Sequence, residues 1–542
     1  LDDITALGMG GFQVMVCEFM KTERFDVAET ECHDFATLVG LLAARSANFP
    51  DRCAFRFLDD RNEASTVSYH ELDESARRIA ASLQCQFEQG SSAALVFPPG
   101  IEFIKAFFGC VYAGVLPIPA TYPKPRRPSA RLTSIVGDAR PAAMITTESA
   151  FRTHHGSQSS SDRDFQTWLS LAALESSSPL QWHRPSIDPD DVAFLQYTSG
   201  STKDPRGVEV SHLNICNNLE MIRRGFGLAS CLPNQPAEVG VSWLPAYHDM
   251  GLIGGILESI YVGGTTILMS PLSFLQRPAR WLRAISDYRA VVSGGPNFAY
   301  ELCLRKIKPE EIEDIDLSSW RVAFSGAEPI RARTLRRFAE QFSAQGFSES
   351  AFYPCYGLAE ATLLVTGGHG PGNVSACRFQ ADELTNHGRA VVVESNEGDQ
   401  EAVPEIEFVS CGGPIMDGEV VIVDPTTESP CPDNVVGEIW IRGSHVTKGY
   451  RNRPPSCKTT FHGRLAGSSN GHFLRSGDLG FMHDGSLFVT GRLKELLIIR
   501  GRNHYPHDLE ATVQETSDKL IPGGGAAFLV DRDDHDLLIL VQ

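Results

Sequence analysis

Gln196-Tyr-Thr-Ser-Gly-Ser-Thr-Lys-Asp-Pro-Arg-Gly-Val208 is a polar stretch that follows the apolar run Val192-Ala-Phe-Leu195. It leads into Gly207-Val-Glu-Val-Ser211, which alternates in the manner of a β-strand. Gly200 can adopt backbone angles that other residues avoid, and the neighbouring hydroxyls and free N–H groups are suited to phosphate oxygens. A polar hairpin turn would explain the same residues. The stretch is not a Walker A loop, because it lacks Gly-Lys-Ser/Thr and enters a strand rather than a helix.

The composition is typical of a globular protein with more than one domain, since 542 residues exceed a single core. A net charge of −19 disfavours nucleic acids and anionic membranes as partners. Thirteen cysteines without a C-x-x-C pair fit a reducing cytoplasm better than a disulfide framework or a zinc site. The longest apolar stretch, residues 251–269, contains Glu258 and is interpreted as a buried helix and strand, so no membrane insertion is expected.

Alternating strand and helix patterns predict an α/β fold with two helix-flanked, mostly parallel sheets. The clearest segments are strands at 92–97, 143–146, 266–269 and 321–324, and a helix at 101–112. From about residue 406 the pattern becomes β-rich, which predicts a small barrel-like subdomain, and an α+β unit follows Gly491. The expected domains are a linker or cap (1–33), a large domain (34–490, β-rich from about 406) and an incomplete C-terminal domain (491–542). Both ends are interpreted as cut from a longer polypeptide.

Three distant segments follow the hydroxyl-rich stretch in a fixed order: Tyr356-Gly-Leu-Ala-Glu-Ala-Thr362, Arg475-Ser-Gly-Asp-Leu-Gly480 and Gly491-Arg-Leu-Lys494. Together the four motifs resemble those of adenylate-forming enzymes, the superfamily of acyl-CoA ligases, luciferases and peptide-synthetase adenylation domains. The resemblance extends from about Phe35 to the end of the chain.

Within that superfamily the chain most resembles the fatty acyl-AMP ligases. The segments that carry this resemblance are Phe274-Leu-Gln-Arg-Pro-Ala-Arg-Trp-Leu282, Ser293-Gly-Gly-Pro-Asn-Phe-Ala-Tyr300, Phe352-Tyr-Pro-Cys-Tyr-Gly-Leu-Ala-Glu360 and Arg500-Gly-Arg-Asn-His-Tyr-Pro506. About fifty residues also separate Glu360 from Gly412, a gap long enough for the insertion of that family. The resemblance implies ATP- and Mg²⁺-dependent formation of a fatty acyl adenylate. The acyl group then passes to the phosphopantetheine arm of an acyl carrier protein, as in polyketide or lipopeptide biosynthesis.

The resemblance also implies roles for individual residues. The predicted catalytic residues are Thr198, Arg206, His248 and Glu360, of which Thr198 and Glu360 assist the metal and His248 lies near the acyl carboxylate. The predicted nucleotide-binding residues are Ser199, Gly200, Ser201, Thr202, Gly326, Ala327, Glu328, Tyr356, Gly357, Leu358, Ala359, Asp478 and Arg492. The predicted acyl-pocket wall is Gly294, Gly295, Pro296 and Asn297, and Lys494 occupies the hinge position. Taken alone, Glu360 and His248 would be interpreted as structural residues, and the glycines at 294 and 295 as an aid to strand packing.

Two departures from the family pattern leave alternatives open. Lys203 replaces a flexible glycine and Arg206 replaces a lysine. At position 206 a planar guanidinium therefore takes the place of the compact ammonium group of the family. The chain also ends before the lysine that the family places near its C-terminus. The alternatives are a fatty acyl-CoA ligase of the same fold, and a non-catalytic adenylate-fold module that binds or scaffolds a partner.

Overall fold

Strands and helices alternate along the chain in this computed structural model, which describes residues 35–61, 63–123, 129–157, 167–198, 205–229, 236–368, 374–393, 404–453, 458–467, 471–499, 502–514, 516–517, 519–520, 523–532 and 535–542. The α-helices are Leu38–Asn48, Tyr69–Gln84, Ile101–Ala113, Ala130–Ala139, Glu148–Ser157, Leu171–Leu174, His212–Phe226, Glu258–Val262, Pro271–Gln276, Ala279–Asp287, Asn297–Lys306, Ala332–Phe342, Ala381–His387, Lys458–Phe461 and Pro506–Gln514. None of the described helices combines the length and apolar character needed to cross a membrane.

Two sheets with mostly parallel strands form the centre of the fold. The larger has seven strands in the order Phe352–Pro354, Val322–Ser325, Val292–Gly294, Val239–Ser242, Thr265–Met269, Cys53–Leu58 and Ala64–Ser68. Only its last pair is antiparallel. The second sheet is wholly parallel, in the order Leu116–Ala120, Ser92–Val96, Ala143–Thr146 and Thr167–Ser170. The predicted α/β class with two helix-flanked sheets is confirmed.

The remaining described strands pair antiparallel in smaller sheets. They are Val192–Tyr197 with Gly207–Ser211; Tyr356–Gly357, Leu364–Gly367 and Gly413–Pro414; Ala376–Gln380 with Glu405–Val409; Glu419–Val423, Gly437–Arg442, Leu474–His483 and Ser486–Arg492; Leu497–Ile499 with Arg502–His504; and Ala526–Arg532 with His535–Val541. The predicted β-rich region is therefore present, as a four-stranded antiparallel sheet with shorter sheets beside it. The hydroxyl-rich stretch connects the two strands of the first hairpin.

The helix His212–Phe226 shows how local sequence sets the position of a functional element. Ser211 and Asn214 form a capping box at its start. The Ser211 hydroxyl accepts from the Asn214 N–H at 3.1 Å, and the Asn214 side chain accepts from the Ser211 N–H. Gly227 ends the helix with φ at +63°, a backbone conformation that glycine adopts at little cost. The helix therefore starts directly after the hairpin and presents its last turn to the ends of the large sheet.

Candidate active site

A cleft of about 600 Å³ lies where several strands of the large sheet end. Gly326 and Ala327 follow the strand Val322–Ser325, and Tyr356 follows the strand Phe352–Pro354. Ligand sites of open α/β sheets form at the carboxyl ends of their strands. The predicted residues that line this one cleft are Thr198, Arg206, His248, Gly326, Ala327, Tyr356, Gly357, Leu358, Ala359, Glu360, Asp478, Arg492 and Lys494. The structure thus brings together residues from all four motifs.

Glu360 is carried by an unusually tight turn. Residues Ala359–Ala361 form one 3₁₀ turn, and Thr362 then has φ +67° and ψ −65°. The Leu363 N–H donates to the Ala361 carbonyl at 2.8 Å, which closes a γ-turn of the rare, strained kind. The Thr362 hydroxyl donates to the His445 carbonyl at 2.6 Å and holds this conformation. The strain is located beside the predicted site residue Glu360, and strained backbone often clusters at functional sites.

Two groups from a later segment also hold Glu360. The Thr447 N–H and hydroxyl both donate to the Glu360 carbonyl at 3.0 Å. The Tyr450 hydroxyl donates to Glu360 Oε1 at 2.6 Å. Burial, together with the negative charges of Asp249 and Asp478, raises the pKa of Glu360, and the bond from Tyr450 opposes that shift. Sequence reasoning missed Tyr450, whose only signal is its place in a Gly-Tyr pair after a strand.

Asp478 is the second carboxylate of the cleft and, unlike the half-buried Glu360, it is buried. The Tyr356 hydroxyl donates to its Oδ2 at 2.7 Å, and Arg492 Nε lies 3.2 Å from its Oδ1. Burial raises the pKa of Asp478, while Arg492 and Tyr356 act in the opposite direction. Its own N–H donates to the Ser476 hydroxyl at 3.0 Å, which fixes the tight turn around Gly477. A carboxylate held in this way is a strong acceptor for sugar hydroxyls.

The third side of the cleft carries the hairpin and the turn with His248. The Thr198 N–H donates to the Arg206 carbonyl at 3.1 Å and closes the hairpin, while Ser199, Gly200, Ser201 and Thr202 lie outside the described residues. His248 Nδ1 lies 2.6 Å from Asp249 Oδ1. Burial lowers the pKa of His248, but the Asp249 carboxylate outweighs it, and the net shift is upward. Asp249 also accepts from the Met250 N–H at 2.7 Å and so begins the next helix.

That next helix is the π-helical segment Met250–Leu257, and it helps to form an apolar end of the cleft that the sequence did not reveal. Such segments are rare and are frequently found at functional sites. The apolar end is lined by Ile222, Phe226, Met250, Gly254, Phe324, Leu363 and Leu364. Phe226 stacks on Phe324 with ring centroids 5.8 Å apart, so the wall is built from both the large sheet and the helix that follows the hairpin.

Five of the predicted residues that the structure describes are not among those that line this cleft: Glu328, Gly294, Gly295, Pro296 and Asn297. A Cβ on Gly294 would lie 2.2 Å from the Phe324 carbonyl oxygen, and one on Gly295 would lie 2.6 Å from the Trp243 ring. Both glycines thus permit close packing in the sheet, the alternative that the sequence left open. Asn297 accepts from the Arg331 N–H at 3.1 Å, and Glu328 accepts from the Phe298 N–H.

Comparison with known proteins gives the family. A family model described as "AMP-binding enzyme" matches residues 42–451. The chain belongs to this family. Over 517 residues it is 43% identical to the medium-chain-fatty-acid–acyl-carrier-protein ligase JamA of Moorena producens, an alignment that covers 94% of this chain and 85% of that protein. It is 34% identical to the corresponding ligase TtuA of Teredinibacter turnerae over 555 residues, covering 94% and 84% of the two chains.

A solved structure agrees with these relatives. The crystal structure of a fatty acyl-adenylate ligase from L. pneumophila, in complex with acyl adenylate and pyrophosphate, superposes with a TM-score of 0.79 at 39% identity. That alignment covers 94% of this chain and 86% of the other. The predicted resemblance is confirmed, and this AMP-binding enzyme is of the fatty acyl-AMP ligase type.

Gly357 tests whether the tight turn is necessary. A Cβ added there would lie 1.7 Å from the Leu363 carbonyl oxygen, a clash that only backbone movement relieves. We expect Gly357→Ala to lower the free energy of unfolding by about 1–3 kcal/mol or more, measured as a lower midpoint of thermal denaturation. The matched control is Gly137→Ala in the helix Ala130–Ala139, where nothing lies within 4 Å of the new Cβ. The control should melt at or above the wild-type temperature, since alanine favours helices. Equal midpoints for the two variants would contradict the argument.

Proposed function

We propose that this enzyme joins a fatty acid to ATP, forming an acyl adenylate and pyrophosphate, and then transfers the acyl group to the phosphopantetheine thiol of an acyl carrier protein. In the first step a carboxylate oxygen of the fatty acid bonds to the α-phosphorus, and the bond to the pyrophosphate oxygen breaks. In the second step the thiol sulfur replaces AMP at the acyl carbon. The observation that supports this best is the convergence of Glu360, Asp478, Arg206 and His248 on one cleft with an apolar end.

The cleft has to bring two anions together, so charge is the main obstacle to the first step. Arg206 supplies positive charge next to the hairpin, and it replaces the family's lysine with a fork that can contact two oxygens. His248, whose pKa is raised by Asp249, offers a further N–H donor near the proposed position of the acyl carboxylate. These groups orient the fatty acid carboxylate for attack on the α-phosphorus.

The residues present fit Mg²⁺. Thr198 and Glu360 provide oxygen donors, and the charges of Asp249 and Asp478 near Glu360 favour a cation there. Within the described part of the chain, no group of three or more His, Cys, Asp or Glu side chains has the arrangement of a metal site. Mg²⁺ characteristically uses one or two protein carboxylates together with substrate phosphates. When bound, the ion would neutralise phosphate charge.

The nucleotide and the acyl chain are assigned to opposite parts of the cleft. We assign the ribose hydroxyls to Asp478 and Arg492, and the adenine to the space between Tyr356 and the backbone of Gly326 and Ala327. The fatty acyl chain is assigned to the apolar end rather than to Gly294–Asn297, because that end is contiguous with His248 and Met250. We assign Lys494 to the hinge between the large domain, residues 34–490, and a C-terminal domain that begins after residue 490.

The adenylation step is tested by exchange of labelled pyrophosphate into ATP. We expect exchange that depends on a medium- or long-chain fatty acid. Glu360→Gln should lower its rate by roughly two to four orders of magnitude, because a neutral amide is a poor metal ligand. Glu310→Gln, on an exposed residue outside the cleft, is the matched control and should retain wild-type exchange. Absence of exchange with every fatty acid tested would favour a non-catalytic adenylate-fold module.

The ribose assignment predicts a different defect. Asp478→Ala removes an acceptor that two side chains hold in place, so nucleotide binding should weaken by about 1.5–3 kcal/mol for each hydrogen bond lost. Calorimetric titration with a non-hydrolysable ATP analogue measures this loss. Asp433→Ala, on an exposed residue, controls for the change in net charge. Unchanged affinity in Asp478→Ala would exclude this residue from the nucleotide site.

The acceptor separates the proposal from its closest alternative. The names of JamA and TtuA specify an acyl carrier protein, and by analogy we expect acyl transfer to a phosphopantetheinylated carrier and little to free CoA. Mass spectrometry of the carrier and of the CoA pool, with both acceptors at equal concentration, measures the partition. A carrier without phosphopantetheine is the control and should stay unmodified. Acyl-CoA as the main product would instead identify a fatty acyl-CoA ligase.

A further inference from the structure

We infer that Tyr450 is a positioning residue for adenylation, whose hydroxyl fixes the Glu360 carboxylate relative to the arm of the hairpin that carries Arg206. This inference rests on the proposed function, and it assigns a role to a residue outside the four motifs. The segment that contains Tyr450, residues 444–453, is called the bridging segment below. It contacts both the Glu360 turn and the hairpin, and it does so through different groups.

On the side of the Glu360 turn, the bridging segment contributes four groups from three residues. Thr447 donates its N–H and its hydroxyl to the Glu360 carbonyl, each at 3.0 Å. The His445 carbonyl accepts from the Thr362 hydroxyl at 2.6 Å. These bonds fix the backbone of the turn but do not involve the Glu360 carboxylate. The Tyr450 hydroxyl, 2.6 Å from Oε1, is the bond that sets the direction of the carboxylate.

On the side of the hairpin, the bridging segment pairs with its second strand. The Glu209 N–H donates to the Gly449 carbonyl at 3.0 Å, and the Arg451 N–H donates to the Gly207 carbonyl at 2.8 Å. Arg451 also forms an ion pair with Glu209 at 3.1 Å. The backbone on both sides of Tyr450 is therefore fixed to the strand that begins directly after Arg206. A movement of this hairpin arm would move the Tyr450 hydroxyl with it.

More remote contacts anchor the same segment. Lys448 pairs with Asp190 at 3.1 Å, just before the first strand of the hairpin, and Arg453 pairs with Asp138 at 3.2 Å. These pairs are partly exposed and contribute little stability individually, so the backbone bonds to the hairpin are the main anchor of the segment.

The ring of Tyr450 is itself held between two groups. The Arg206 guanidinium lies over it at 5.2 Å from the centroid, and Phe461 packs against it edge-on at 5.0 Å. Tyr450 is buried, and its hydroxyl donates to the Glu360 carboxylate. Arg206 and Glu360 thus share one aromatic side chain: the cation lies over its face and also interacts with its hydroxyl, and the carboxylate accepts from that hydroxyl.

A purely structural role predicts a different outcome from a positioning role. If the ring only fills space, Tyr450→Phe should be silent, because it keeps the ring and its contacts with Arg206 and Phe461. If the hydroxyl positions Glu360, the same variant should lower kcat by at least about tenfold, the effect of losing a hydrogen bond to a charged group. The KM for the fatty acid should stay within about twofold, since the acyl end of the cleft is untouched.

The experiment measures pyrophosphate exchange in wild type, Tyr450→Phe, Glu360→Gln and the double variant. A residue that acts through Glu360 has no further effect once that carboxylate is neutral, so we expect the double variant to match Glu360→Gln within about twofold. Calorimetry with the ATP analogue, in the absence of fatty acid and with and without Mg²⁺, gives a second readout. The gain in affinity that Mg²⁺ provides should be smaller in Tyr450→Phe than in wild type.

Tyr112→Phe is the matched control, because it also removes a buried tyrosine–carboxylate bond, 2.6 Å to Asp73, but outside the cleft. It should retain kcat and the response to Mg²⁺. Thr447→Val, which removes the hydroxyl bond to the Glu360 carbonyl, is the second variant and should lower kcat less than Tyr450→Phe, again without effect in the Glu360→Gln background. Wild-type kcat in Tyr450→Phe, or an equal loss in both backgrounds, would overturn the inference. An inactive wild type would instead overturn the proposed function.

Discussion

Mutual repulsion of negative charges is the constraint on which the whole cleft depends. Asp478 is buried and Glu360 is half-buried, and the ligand proposed for the space between them is itself an anion. Each carboxylate accepts a hydrogen bond from a tyrosine, Glu360 from Tyr450 at 2.6 Å and Asp478 from Tyr356 at 2.7 Å. A hydroxyl stabilises the charged form of a carboxylate without neutralising it. The positive charge of Arg206 therefore remains available to the substrate instead of being consumed within the protein.

The backbone around Glu360 is also held in an unfavourable conformation by its surroundings. The turn that carries Glu360 includes a γ-turn at Thr362 and a position, Gly357, where no side chain fits. Such a conformation is unfavourable on its own and persists because surrounding bonds compensate for it. The Thr362–His445 bond and the two bonds from Thr447 are the local compensation. The bridging segment therefore stabilises a strained turn as well as aligning its carboxylate.

The sequence was sufficient for the fold class, the family and the convergence of the four motifs. Periodic apolar runs predicted the parallel sheets, since strands buried on both faces have few polar residues. Glu360, Asp478 and Arg492 could be selected because each occupies a fixed place in a short motif.

Tyr450 could not be selected, because its partner Glu360 lies 90 residues earlier and no local pattern indicates that pairing. The apolar end of the cleft was missed for a similar reason: Ile222, Phe226 and Gly254 look like ordinary core residues until the helices that carry them are packed. For Gly294 the sequence left strand packing open as an alternative, but only the packed sheet shows the Phe324 carbonyl against it.

The pairing of the bridging segment with the hairpin has a consequence for how the protein is made. Arg451 reaches Glu209 across 242 residues, and Asn214 donates to the Ser444 carbonyl across 230. Contacts of such high sequence separation form late, because a long loop has to close before they contribute. During synthesis the hairpin leaves the ribosome long before residues 444–453 exist, so the two parallel sheets assemble while the cleft is still open on one side. This side of the cleft is therefore completed only after residue 453 has been made, and until then Glu360 and the apolar end are exposed to chaperones and to proteases.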